Sequence, residues 1–176
     1  RLRDLPKRIQ AADMVIVSKC PKYMDDEEKE SWKRKLNLKE SQELFFTTIS
    51  YDTPCAVYPE GDPHYIYSQK LVLFSGIAND TPLRNYLCGN YKIVKHFSFP
   101  DHHKFTRSDI ANIEGAAKAY PTSVVMTTEK DSQRIQDCTG ISDGLKTRMF
   151  HAPIKAEFVS DGDKEIFFSL IKDCLR

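Results

Sequence analysis

No glycine-rich phosphate cradle is present in this 176-residue sequence. Neither G-x-x-x-x-G-K-[ST] nor G-x-G-x-x-G occurs, and the seven glycines do not cluster. The chain therefore has no recognisable phosphate grip of its own. Cysteine gives no scaffold either. The five cysteines, at 20, 55, 88, 138 and 174, are odd in number, far apart and free of any C-x-x-C. That argues against a disulfide framework or a zinc site and fits a reducing compartment. Long apolar runs are missing. The longest, such as 14–17 and 71–74, fall far short of the ~20 residues that a spanning helix needs. No signal peptide is visible. Excess charge is missing as well: 26 Lys and Arg against 25 Asp and Glu leave a net +1, which argues against a nucleic-acid partner.

With 40% hydrophobic and 29% charged residues, the composition is that of a folded protein, not of a disordered or collagen-like chain. The length is one domain's worth at about 100–200 residues per domain. We expect a single α/β domain over 1–176. The chain opens on Arg1, not Met, inside a charged segment, as a piece of a larger protein would.

Short β-branched runs alternate with amphipathic patterns. Strands are expected at 14–18, 43–51, 71–74, 91–99 and 123–127, with one or two more around Pro153. Extended pieces are expected at 55–58, continuing or pairing with 43–51, and at 65–67. The stretch 52–62, with Pro54, Pro59 and Gly61, is turn-rich. A helix over 25–38 starts on Asp25, Asp26, Glu27 and Glu28 and ends among Lys33, Arg34 and Lys35, which complements the helix dipole. Asn79 to Pro82 mark another helix start, with a capping side chain. Thr106-x-x-Asp109 and Thr128-x-x-Asp131 have capping-box spacing. Residues 136–147 read as loop. Ser160 to Asp163 cap a last helix whose Ile166, Phe167, Leu170, Ile171 and Cys174 face inward. The alternation predicts an α/β, three-layer Rossmann-like fold with a largely parallel sheet.

Ligands of such sheets bind beyond the carboxyl ends of the strands. Four loops qualify: Ser18 to Pro21, Ser75 to Asp80, Pro100 to Lys104, and Thr127 to Asp131. In one parallel sheet all four share a rim. Asp101-His102-His103 is the most informative, because an imidazole beside a carboxylate can hold or move a proton near neutral pH. A satisfied surface histidine is the plainer reading. Asp101, His102, His103 and Asp109 could also ligate a metal, but no second ligand cluster accompanies them, and no metal site is expected. Lys19 could meet a phosphate or a base. Thr128 and Lys130 stand where a helix start would suit an anion, although ordinary capping explains Thr128 and Asp131. Gly76 suits a tight turn or a close backbone approach.

In this order the loops resemble the C-terminal domain of the tetraacyldisaccharide 4'-kinase (lipid A 4'-kinase) family of Gram-negative bacteria. The matching residues are Leu2-Arg3-Asp4, Val15 to Pro21, Phe74 to Asn79, Phe99 to Thr106 and Thr127 to Asp131. The Lys19-Cys20-Pro21 variant is similar to the Bacteroides-like branch. The pattern departs at Ser75, where Ala is common, and at Asp80, where Pro is common. The resemblance implies transfer of the ATP γ-phosphate to the 4'-hydroxyl of a tetraacyldisaccharide 1-phosphate, with Mg²⁺. It implies two α/β domains joined by a two-stranded β linker or hairpin, which the extended pieces within 43–67 would fit. The N-terminal domain, with the phosphate loop, the metal-binding acids and the main catalytic Asp, is not in this chain. His102, with Asp101 beside it, is the implied catalytic contribution. Lys19, Thr128 and Lys130 are candidates for the nucleotide side of the cleft. The implied partners are the chain's own N-terminal domain, the lipid A disaccharide and, peripherally, the cytoplasmic face of the inner membrane. There Arg1, Arg3, Lys7 and Arg8 could meet anionic lipid, or simply form a solvated linking segment. By itself the piece is expected to be inactive.

Two other classes stay open. A metal-dependent phosphoesterase with an Asp-His-His motif needs an earlier Asp-x-Asp, whereas Asp161-Gly162-Asp163 comes later. A non-catalytic α/β nucleotide-binding module needs nothing further.

Overall fold

In the computed structural model, which describes residues 6–175, a 3-10 turn at Pro6–Ala11 leads into the first strand. The order is then β1 (Met14–Val17), α1 (Asp26–Leu36), β2 (Glu43–Tyr51), β3 (Cys55–Ala56), β4 (Lys70–Ser75), α2 (Thr81–Cys88) and β5 (Lys92–Ser98). It continues with α3 (Arg107–Ala119), β6 (Val124–Thr128), α4 (Glu129–Gln136), α5 (Asp143–Lys146), β7 (Met149–Ala152), β8 (Ile154–Phe158) and α6 (Asp161–Cys174). Where one domain was expected, the described residues form two compact units, one of 6–50 and 155–175 and the other of Tyr51–Ile154. The 43–67 stretch runs from the first into the second.

In the first unit α1 is the crossover between parallel β1 and β2, with Met14 opposite Glu43 and Val17 opposite Phe46. Asp25 accepts the Glu28 N–H at 2.8 Å and Glu28 accepts the Asp25 N–H at 3.1 Å, a reciprocal cap. Asn37 ends the helix in the left-handed region, at φ 50°. The sheet order is β1-β2-β8. Phe45 is buried, with the rings of Phe158 and Phe167 at 6.1 and 5.2 Å. The last helix is less inward than its pattern suggests. None of its residues is buried, and Ile166 and Cys174 are exposed. Among the described residues no helix is long and apolar enough to cross a membrane.

The second unit is built on the order β3-β7-β6-β4-β5. Parallel pairing joins β4 to β5 and β6, and β6 to β7. β3 pairs antiparallel with β7, not with β2 as expected. β4 explains the layering. Leu71, Val72, Leu73 and Phe74 are all fully buried, because the strand has helices on both faces. On one face Val72, Phe74 and Val125 pack with Ile110 and Ile113 of α3, Ile135 of α4 and Leu145 of α5. On the other, Leu71, Leu73, Met126 and Phe150 pack with Leu83 and Leu87 of α2. Helix, sheet and helix make three layers, as predicted.

Two local expectations are corrected. Residues 65–67 are not extended. They end a 3-10 helix, Pro63–Tyr67, started by Pro63 and by the Asp62 carboxylate accepting the His64 N–H at 3.0 Å. The 136–147 loop contains α5, which Ser142 caps by accepting the Leu145 N–H at 3.3 Å.

Candidate functional site

Three of the four candidate loops leave the carboxyl ends of neighbouring parallel strands, β4, β5 and β6. They therefore share a rim, as the sequence pattern suggested. The fourth, with Lys19, follows β1 and so ends the other sheet, because β1 pairs with β2. Lys19 is exposed, and its backbone is left-handed, at φ 61°.

The β5 loop separates its two histidines. His103 is packed: its ring stacks on Phe99 at 4.6 Å, meets Phe105 edge-on and pairs through Nε2 with Asp109 Oδ2 at 3.0 Å. Asp109 also accepts the Thr106 N–H and hydroxyl, while Thr106 Oγ1 accepts the Asp109 N–H. His103 thereby braces the start of α3. Burial pushes the Asp109 carboxyl up, but the hydrogen bonds from His103 and Thr106 outweigh it and hold the group below its ordinary value.

His102 points outward. Its side chain is 73% exposed, and Asp101 Oδ2 lies 3.6 Å from Nε2. Its φ of 61° is costly for a residue with a Cβ, of the order of 1–3 kcal/mol. Its backbone N–H, shared between Asp101 Oδ1 at 3.0 Å and Gly76 O at 3.2 Å, holds it there. Only three non-glycine residues among those described have positive φ. Two are the candidates Lys19 and His102, and the third, Asn37, is a helix cap.

Asp131 ties the three loops together. Its side chain is fully buried. Asp131 Oδ2 accepts the Gly76 N–H and the Thr128 hydroxyl, both at 2.8 Å, and Oδ1 accepts from Arg134 Nη1 at 2.8 Å. The same Nη1 donates to Gly76 O at 3.1 Å, and Arg134 Nη2 reaches His102 Nδ1 at 3.0 Å. A Cβ on Gly76 would lie 3.2 Å from Asp131 Oδ1 and 3.3 Å from the His103 Cβ, so glycine lets the three loops converge here. Thr128 Oγ1 also accepts the Asp131 N–H at 3.1 Å, so its hydroxyl is engaged in the cap of α4. Lys130 is exposed on the first turn of that helix. The sequence reading gave Asp131 only a capping role and did not include Arg134. Their i, i+3 spacing was the available signal.

Beside this hub, the Ser75 hydroxyl donates to Asp80 Oδ2, and His96 Nε2 lies 2.8 Å from the same oxygen. Arg84 Nε donates to Asp80 Oδ1 at 3.1 Å. Burial raises the Asp80 carboxyl, but Ser75, His96 and Arg84 together hold it below its ordinary value. Asp80 does not cap α2 with its side chain. Ser75 and Asp80, the two departures from the pattern described above, are thus bonded to each other.

These residues do not fit a divalent cation. His103 and Asp109 are engaged with each other, and no three His, Cys, Asp or Glu side chains among the described residues converge as a metal site would need.

The family model for Tetraacyldisaccharide-1-P 4'-kinase matches residues 1–175, well past the 2–135 that carry the motifs. The Tetraacyldisaccharide 4'-kinase of Flavobacterium johnsoniae is 32% identical over 162 residues, covering 90% of this chain and 44% of that protein. Its counterpart from Phocaeicola vulgatus is 29% identical over 182 residues, covering 100% and 50%. The chain thus spans about half the length of the curated relatives it matches. A crystal structure of LpxK from Aquifex aeolicus, in complex with ATP, aligns over 94% of this chain and 45% of that one. At 21% identity and a TM-score of 0.50 it supports the fold. Leu2-Arg3-Asp4 lies outside the described residues, but the other motifs sit where the loops converge or where β1 ends. The chain belongs to the tetraacyldisaccharide-1-phosphate 4'-kinase family.

Proposed function

We propose that this chain is the C-terminal half of a two-domain lipid A kinase. The complete protein would move the ATP γ-phosphate to the 4'-hydroxyl of a tetraacyldisaccharide 1-phosphate. The observation that carries this reading is the contrast between the two histidines: His103 is locked into the packing, while His102 is exposed at the strand-end rim in a left-handed conformation.

Phosphoryl transfer needs positioning and charge stabilisation more than covalent help from the protein. The 4'-oxygen forms a bond to the γ-phosphorus while the bond to the β,γ-bridging oxygen breaks. The hydroxyl proton passes to a base, which in this reading is the Asp of the N-terminal half. His102 meets the γ-phosphate or supports that base, and Asp101 braces it. Lys130 adds positive charge on the nucleotide side, and Thr128 presents the first turn of α4. In this reading Mg²⁺ and the phosphate loop belong to the N-terminal half. Lys7 and Arg8 favour a peripheral contact with anionic lipid at the cytoplasmic face of the inner membrane. The phosphoesterase alternative has little support: Asp161 and Asp163 lie in the first turn of α6, and His103 is engaged with Asp109.

The test is a phosphotransfer assay with ATP and the disaccharide 1-phosphate, read by mass spectrometry of the lipid. The complete protein is expected to form the 1,4'-bisphosphate, and this chain alone none. Failure of the complete protein, or turnover by the chain alone, would overturn the reading.

A further inference from the structure

Arg134 is a cation that touches the candidate imidazole. Its fork is already fixed on the far side. Nη1 is shared between Asp131 Oδ1 and Gly76 O, at 2.8 and 3.1 Å, and Asp131 is fully buried. Nη2 is left to meet His102 Nδ1 at 3.0 Å. A guanidinium has donors only and stays protonated in proteins, so Nδ1 must be the acceptor. A neutral ring with an accepting Nδ1 carries its proton on Nε2. The contact is exposed, with the Arg134 side chain 25% and the His102 side chain 73% accessible, so its consequence for stability is slight. Its consequence for chemistry is larger, because the ring's direction and the place of its proton are both set.

We propose that Arg134 is a positioning residue that holds His102 with its proton on Nε2, so that the ring meets an anionic oxygen as a hydrogen-bond donor. The oxygen is that of the transferring phosphate or of the carboxylate that takes the hydroxyl proton. Asp131 and Gly76 hold Arg134, which links the β4 and β6 loops to a ring on the β5 loop. For its effect on turnover the inference rests on the kinase reading above. The tautomer itself does not.

Two measurements test it. The first is ¹⁵N NMR of the histidine side chains in this chain, at a pH where His102 is neutral. His102 Nδ1 is expected at the position of an accepting nitrogen, moving towards the average of the two tautomers in Arg134→Met. A proton on Nδ1, or a signal unmoved by the substitution, overturns the proposal. The second is a double-mutant cycle in the complete protein. Arg134→Met is expected to lower kcat by about 10-fold or more, with a smaller change in KM for ATP, and Arg134→Lys to recover part of the loss. In a His102→Ala background Arg134→Met is expected to cost nothing further. An equal loss in both backgrounds would reveal a structural role, or a failure to fold, and overturn the positioning role while leaving the kinase reading intact. If the complete protein transfers no phosphate, the kinase reading fails, and the NMR measurement still decides the tautomer.

Discussion

Replacing Asp131 by Ala should be among the most damaging single changes in the second unit. The carboxylate is fully buried and accepts from the Gly76 N–H, the Thr128 hydroxyl and the Arg134 guanidinium. Truncation leaves a buried N–H and a hydroxyl without their acceptor, at about 1–3 kcal/mol each. It also strands the partly buried guanidinium, and breaking one side of a buried pair costs about 3–5 kcal/mol. The terms overlap because all three donors share one acceptor, so the expected total is about 3–5 kcal/mol, not their sum. Asp131→Asn keeps the shape and one acceptor and should cost about 1.5–3 kcal/mol. The assay is urea unfolding of the chain, followed by far-ultraviolet circular dichroism. With a slope of about 2 kcal/mol per molar, the Ala variant should lose about 1.5–2.5 M in its midpoint. A loss under about 0.5 M, with the slope unchanged, would refute the view that Asp131 holds these loops together.

Other expectations concern the same region. Gly76→Ala should destabilise by about 1–3 kcal/mol in the same assay, since its Cβ would press on Asp131 Oδ1 and the His103 Cβ from 3.2 and 3.3 Å; a neutral result would mean that the loops can part freely. Asp80 and Asp109 are both held below the ordinary carboxylate value of 3.8. A depressed carboxylate contributes stability that is fully present above its unfolded value and lost as pH falls through its folded value. The urea midpoint should therefore drop as pH falls below about 4. An Asp80→Asn, Asp109→Asn double variant should have a lower midpoint at neutral pH and a flatter acid limb. An acid limb as steep as that of the parent would remove both residues from the account.

Much of the second unit was legible because its signals are local. Thr106 and Asp109 cap across three residues, and Leu71 to Phe74 form an apolar run that only a strand buried on both faces tolerates. Gly76 could be read as a tight turn or a close backbone approach because only glycine has no Cβ to obstruct either. What was hidden depends on pairing between distant segments. Nothing in 14–18 says whether that strand joins β2 or β4, so Lys19 was grouped with loops that end another sheet. Arg134 meets His102 across 32 residues, and only the fold brings α4 beside the β5 loop. Pro63 and Asp62 closed a 3-10 turn in a segment whose aromatic and β-branched residues suggested extension. Ser75 and Asp80 looked like separate departures from a pattern until their side chains were seen to meet.

The central claim is that the imidazole at 102 takes part in phosphate transfer. It is tested most directly by kcat of the complete protein carrying His102→Ala, with ATP and the disaccharide 1-phosphate saturating. The account predicts a fall of about 10²-fold or more, with folding and nucleotide binding retained. Turnover within about 3-fold of the parent, on the scale of a removed surface contact, would contradict it.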